Sequence, residues 1–278
     1  MRRFTVFALA MLLLRAAAPA QQAPAHRFDP AFDGPLTTSG VLLNVLALSR
    51  WHDMEAWSEP VSSPLPWDRP FHGTWSGTAD AWSDGLLWTG LAVPALWGAE
   101  WGCGRVSGDE TAADFAILGE AMLLNYGLNI LVRSAQWWSR PMLFSPDSPR
   151  GERSKAQAHG SFYSGHVSSA FTMATVAAVV NGSREKPLVP KVPFAVGVYG
   201  LATAVAALRV GAGKHWPTDV VAGAAVGSAI GWFVPFLHEV RNAPAPESGG
   251  EARSVARKCS SLRFGLVSLQ PLVVAWRW

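Results

Sequence analysis

Arg133 and the pair Arg140-Pro141, the tripeptide Ser164-Gly165-His166, and the run from Arg209 through His215 to Asp219 carry the chemistry of this sequence. Three guanidinium groups that keep their protons and present planar forks of donors suit the three non-bridging oxygens of a phosphoryl group. The two imidazoles add what arginine cannot: a nucleophile, and an acid and base near neutral pH. His215 and Asp219 are four residues apart, so on the first turn of a helix the carboxylate can reach the imidazole, fix its tautomer and stabilise its cation. Helix starts at Ser164 and Pro217 offer free backbone N–H groups to an anion, and Gly211 and Gly213 let the chain turn tightly between Arg209 and His215.

Helices must bring these residues together. Five apolar segments, residues 83–99, 112–132, 161–180, 193–208 and 218–237, each read as a helix able to cross a membrane. Arg133 and Arg140 follow the end of the second segment, Ser164-Gly165-His166 opens the third, Arg209 follows the fourth, and His215 with Asp219 opens the fifth. Consecutive antiparallel helices alternate in direction, so all three clusters fall at one end of a single bundle. Gly223, Gly227 and Gly231 form a smooth ridge for close helix contact. The expected fold is therefore all-α: a polytopic membrane bundle of five to six helices with the active site at one end. A soluble exported helical domain competes with this reading, because mean hydropathy is only +0.16 and Asp114 and Glu120 interrupt the second segment.

Of the 278 residues, 49% are apolar and 15% charged, which excludes a disordered chain, and a net charge of +3 is too small to argue for nucleic acid. Fourteen Trp fit membrane interfaces. Arg2 and Arg3, the apolar run 4–14 and Ala18-Pro19-Ala20 read as an export signal over residues 1–20. Residues 21–78 read as a Pro- and Trp-rich interfacial region whose apolar patch, 41–48, is too short to span. The bundle is expected over 79–238 and a linker and tail over 239–278, with 262–278 as a short strand or hairpin. No zinc-type spacing of Cys and His appears, so no structural metal is expected. Glu120 and Asn125, inside an apolar segment, call for partners on a neighbouring helix. His26, His52, His72, His159 and His238 read as surface or interfacial, and Lys214 as either an aid to the anion site or an exposed loop charge.

The order Arg133, six residues, Arg140-Pro141; Ser164-Gly165-His166; Arg209, five residues, His215, three residues, Asp219 resembles the type 2 phosphatidic acid phosphatase superfamily. That superfamily includes membrane lipid phosphatases, exported bacterial acid phosphatases and vanadium haloperoxidases, and the resemblance covers residues 82–237. It implies that His215 attacks phosphorus while Asp219 orients it, and that His166 protonates the leaving group and then activates water. Arg133, Arg140, Arg209, the Ser164 hydroxyl and the Gly165 N–H would hold the phosphoryl oxygens, with no metal or cofactor. Three positions depart from the family pattern: Arg133 stands in place of Lys, Tyr163 in place of the Pro before Ser-Gly-His, and Leu208 in place of the Ser before Arg209. No catalytic group is lost, so the departures bear on substrate preference.

The implied substrate is a lipid phosphate or pyrophosphate, such as phosphatidic acid, phosphatidylglycerol phosphate or undecaprenyl pyrophosphate. A soluble non-specific acid phosphatase, a phosphotransferase and a non-catalytic phosphate-lipid binder or transporter are the alternatives. With an exported amino terminus and the 83–99 helix entering first, the site faces the periplasm from an inner membrane. Cys103 and Cys259 then lie on the cytoplasmic side, reduced.

Overall fold

The protein is described here by a computed structural model covering residues 28–185 and 187–238. The expected export signal, the linker and tail, and the strand-like segment at 262–278 lie outside the described residues, which contain α-helices and short 3-10 turns and no strand.

Helix α1, Pro30–His52, starts where the Asp29 side chain accepts from the Ala31 N–H at 3.0 Å and Pro30 supplies a first residue that needs no donor. At 23 residues it is about 34 Å long, enough to cross the hydrocarbon layer. The apolar patch expected to be too short to span is thus the middle of a longer helix, whose first turns are largely exposed but direct Asp33 and Thr37 to partners in the protein. α1 lies along α4, Gly108–Arg133, where Asn44 donates to the Leu123 carbonyl at 2.8 Å and Gly127 leaves room for Leu43. Its opposite face exposes Leu42, Val45 and Leu46, a surface suited to lipid.

The expected helix over 83–99 is two: α2, Gly77–Trp88, and α3, Ala92–Gly102, separated by a 3-10 turn at Thr89–Leu91. After α4 come the single-turn α5, Arg150–Arg153, then α6, Gly165–Ser183, α7, Lys191–Gly211, and α8, Pro217–Leu237. α6 is the central helix, packed by α8, α7 and α4. Its closeness to α8 depends on the glycine ridge: a Cβ at Gly223, Gly227 or Gly231 would lie 2.8, 2.2 or 2.7 Å from the carbonyl oxygens of Ser164, Ser168 and Thr172. Trp97, Ile117, Val176, Val180 and Val234 join α3, α4, α6 and α8 in the apolar core.

Contacts give the directions. Trp51, at the end of α1, lies under Arg133 at 4.8 Å, and Asp80 at the start of α2 meets Arg209 at the end of α7. At the other end, Arg184 pairs with Glu100, Glu110 and Asp114, and His238 meets Asp33. Six passes result, with α2 and α3 together making one. α1, α4, α7 and α8 are long and apolar enough to cross a membrane. Exposed Trp67 and Trp137 at the first end and Trp101 and Trp232 at the second suit the two interfaces.

Candidate active site

His215 lies in the turn between α7 and α8, and its side chain is almost wholly buried. Gly213 makes the turn possible: its φ is +67°, and a Cβ there would lie 1.7 Å from the Thr74 carbonyl oxygen. Gly211, expected to share this task, is the last residue of α7. His215 Nδ1 is 2.9 Å from the Ser161 carbonyl oxygen and 3.5 Å from Asp219 Oδ2. A carbonyl only accepts, so the proton sits on Nδ1 and Nε2 keeps its lone pair. The Asp219 carboxylate is held in turn by the Ser161 hydroxyl at 2.5 Å, the Trp216 N–H at 3.0 Å and Trp138 Nε1 at 3.0 Å. Burial, followed by the positive fields of Arg140, Arg209, Arg133 and His166, holds the His215 pKa well below its ordinary value and keeps the imidazole neutral.

The arginines surround this histidine unequally. Arg209 is buried, with Nη1 held by Asp80 at 2.8 Å, Ser83 at 3.1 Å and Asp84 at 3.4 Å. Arg140 is lowered to about 10, first by burial and then by repulsion from Arg209. Arg133 spends Nε and Nη2 on the carbonyls of Gly160 and Gln157, so it braces the loop before Ser164 as well as adding charge. Lys214 is neither exposed nor free: it bonds to Asp80 at 3.0 Å and Glu152 at 2.9 Å. Glu152 is lowered to about 2 by its bonds to Lys155 and Lys214.

Ser164 stands at the N-cap of α6, yet its hydroxyl makes no cap bond, whereas Ser76 and Ser107 cap α2 and α4 in the ordinary way. Ser164 Oγ, Arg140 Nε and Arg209 Nε are buried without a hydrogen-bond partner. Such groups are costly unless something satisfies them. Gly165 is required where it stands, because a Cβ would lie 2.6 Å from Asn129 Oδ1, and Asn129 also holds the Tyr163 carbonyl at 2.8 Å. His166 faces the same space, its Nε2 2.8 Å from Asp84.

All eight residues expected from the sequence therefore gather at one end of the bundle, together with Ser161, Trp138, Asn129, Asp80, Asp84 and Glu152, which sequence reasoning missed. The Pro- and Trp-rich region completes the surround: buried Asp68 accepts from the Thr218 N–H at 3.1 Å, and Trp67 Nε1 donates to Thr218 at 2.6 Å. His159 is buried rather than superficial, bonding to Ser139 at 3.1 Å with its ring tilted 46° against that of Trp57. Beside the site, an apolar cavity of about 270 Å³ opens among Leu86, Gly90, Ala170, Met173, Val198 and Val205. Ala170 lies one turn after His166, and Val205 one turn before Arg209.

Residues 115–243 match the model of the PAP2 superfamily. Among solved structures, the chain is similar to a transmembrane PAP2 type phosphatidylglycerolphosphate phosphatase from Bacillus subtilis, with 19% identity over 88% of this chain and 100% of that one and a TM-score of 0.40. No curated protein matches the chain.

Proposed function

From a chain whose residues 115–243 carry the PAP2 superfamily pattern, we propose a membrane phosphatase that hydrolyses a lipid phosphate or pyrophosphate through a phosphohistidine, without a metal in the reaction. The observation that carries this reading is the set of unsatisfied donors, Ser164 Oγ, Arg140 Nε and Arg209 Nε, beside a buried imidazole whose Nε2 lone pair is free. A bound phosphoryl group supplies the acceptors these donors lack.

In the first half-reaction His215 Nε2 attacks phosphorus in line. The N–P bond forms as the P–O bond to the leaving group breaks, and His166 gives that oxygen its proton. The Ser161 carbonyl and Asp219 stabilise the positive imidazole, while Arg133, Arg140, Arg209, the Ser164 hydroxyl and the Gly165 N–H take the charge gathering on the equatorial oxygens. In the second half-reaction His166 removes a proton from water, water attacks phosphorus, and the N–P bond breaks to release phosphate. Before any of this, the phosphate must replace Asp84 on His166 and Arg209.

The lipid preference is supported by the apolar cavity one helical turn from His166 and Arg209, and by the four helices apolar enough to cross a membrane. Candidate substrates are phosphatidylglycerol phosphate, phosphatidic acid and undecaprenyl pyrophosphate. The site is read as facing the periplasm from an inner membrane. The test is phosphate release by the detergent-solubilised protein from these lipids and a soluble aryl phosphate, with chelator present. Wild type should release phosphate, prefer lipids, and lose activity by about 10³-fold or more in His215→Ala. A folded wild type that binds phosphate lipids but releases nothing would overturn the hydrolase reading in favour of a binder.

A further inference from the structure

At the end of the bundle away from this site, Asp33 of α1, Glu120 of α4 and His238 just after α8 meet, all buried. His238 lies 23 residues after His215 along α8, about 34 Å away at 1.5 Å per residue. His238 Nε2 is 2.5 Å from Asp33 Oδ1 and 3.0 Å from Glu120 Oε2. Its Nδ1 is 2.8 Å from the Val234 carbonyl oxygen, which can only accept, so the Nδ1 proton is committed there and the Nε2 lone pair points at two carboxylates. The outer carboxylate oxygens have donors of their own: Thr37 Oγ1 gives to Glu120 Oε1 at 3.0 Å and the Asp29 N–H to Asp33 Oδ2 at 2.5 Å. Glu120 Oε2, on a residue only 4% exposed, is buried without a hydrogen-bond partner.

Three acceptors turned toward one point need a cation between them. A proton on Nε2 makes one good hydrogen bond and leaves the trio with a net charge of −1, expensive in a buried site at the membrane boundary. A divalent ion cancels both carboxylates and binds all three atoms at once. The ligand atoms lie within 4.8 Å of one another, a spread that small side-chain shifts close around an ion with bonds of about 2.0–2.2 Å. A histidine whose second nitrogen donates to a backbone carbonyl is the usual orientation for a metal ligand. The imidazole argues against magnesium or calcium, which favour all-oxygen shells.

We propose that Asp33, Glu120 and His238 form a structural site for a divalent transition-metal ion, zinc foremost, which ties α1 to the end of α8. The ligands come from three distant parts of the chain, which is why no sequence spacing reveals them.

The test uses the full-length protein in detergent, stripped with chelator, given excess zinc chloride, desalted and analysed for metal by mass spectrometry. Thermal unfolding is followed in parallel. Wild type should retain about one zinc per chain, with its Tm raised by zinc and lowered again by chelator. Glu120→Gln and His238→Ala should each retain at least fivefold less zinc and show no Tm response. The isosteric Glu120→Gln serves if His238→Ala does not fold, and wild-type metal content needs no variant. Less than about 0.2 zinc per chain in wild type, or undiminished zinc in a folded Glu120→Gln, would overturn the proposal and leave a histidine–carboxylate ion pair.

Discussion

Asp219 receives three hydrogen bonds in a buried site, and each donor, the Ser161 hydroxyl, the Trp216 N–H and Trp138 Nε1, requires an acceptor opposite it. Asp219→Asn keeps the shape but turns an amide NH2 toward at least one of them. It also removes the charge that would balance a phosphorylated imidazole. Steady-state kinetics should show kcat reduced by roughly 10²–10⁴-fold with KM changed far less. Asp84 acts in the opposite sense: half exposed, it occupies His166 and Arg209 where the phosphate must go. Asp84→Asn should lower KM for an anionic substrate by about threefold, the scale of an exposed ion pair, and an unchanged KM would mean that Asp84 does not compete. The His215 pKa gives a prediction for stability. Because the folded state holds this imidazole neutral, the unfolded state takes up the proton first, and the stability contributed by neutral His215 is lost as pH falls through the unfolded value near 6.5. Between about pH 7.5 and about pH 5.5, the Tm of wild type should therefore fall further than that of His215→Gln.

The elements differ in how far the sequence reveals them. α7 and α8 are apolar runs bounded by charge or proline, α4 is one interrupted by Asp114 and Glu120, and the glycine ridge on α8 makes the contact with α6 that its spacing implies. Gly227→Ala places a methyl 2.2 Å from the Ser168 carbonyl, backbone that cannot step aside, and should cost about 1–3 kcal/mol. The control is Gly182→Ala, which meets nothing within 4 Å and should leave Tm level or slightly raised. Gly227→Ala matching the control would break the link between the ridge and close packing. The parts that stay hidden in the sequence depend on distant partners. α1 starts in polar residues because Asp33 and Thr37 answer to Glu120 and His238, so its apolar window looks short. The break between α2 and α3 falls within an apolar run that contains no charge to mark it. At the site, the eight residues with a recognisable order were legible, but Ser161 and Trp138 act through a carbonyl and an indole N–H on loops without a pattern, and Asn129 through a single amide inside the apolar α4. Buried His159 and His238 likewise look like any other histidine until their neighbours are known.

For the whole molecule, α1 couples two expectations that were independent in the sequence. It runs from the far end of the bundle to the site end, so residue 30 and the site lie on opposite sides of any membrane that α1 crosses. A site facing the periplasm then puts residue 30 on the cytoplasmic side, against the expectation of an exported amino terminus. If residue 30 is exported instead, the site faces the cytoplasm. Arg184 and Lys191 stand at the far end, and their charge favours a cytoplasmic far end. Cys103 stands on the other side of the argument: it is disulfide-bonded where a reduced thiol was expected, and disulfides persist in oxidising compartments. Single-cysteine labelling separates the two. With Cys103 and Cys259 replaced by serine, Ser154→Cys reports on the site end and Glu185→Cys on the far end, each at an exposed position. A membrane-impermeant maleimide applied to intact spheroplasts should label Ser154→Cys and spare Glu185→Cys until the membrane is opened. The reverse pattern would place residue 30 and the Cys103 disulfide together in the oxidising compartment, and the proposed phosphatase site would then draw its lipid from the cytoplasmic leaflet.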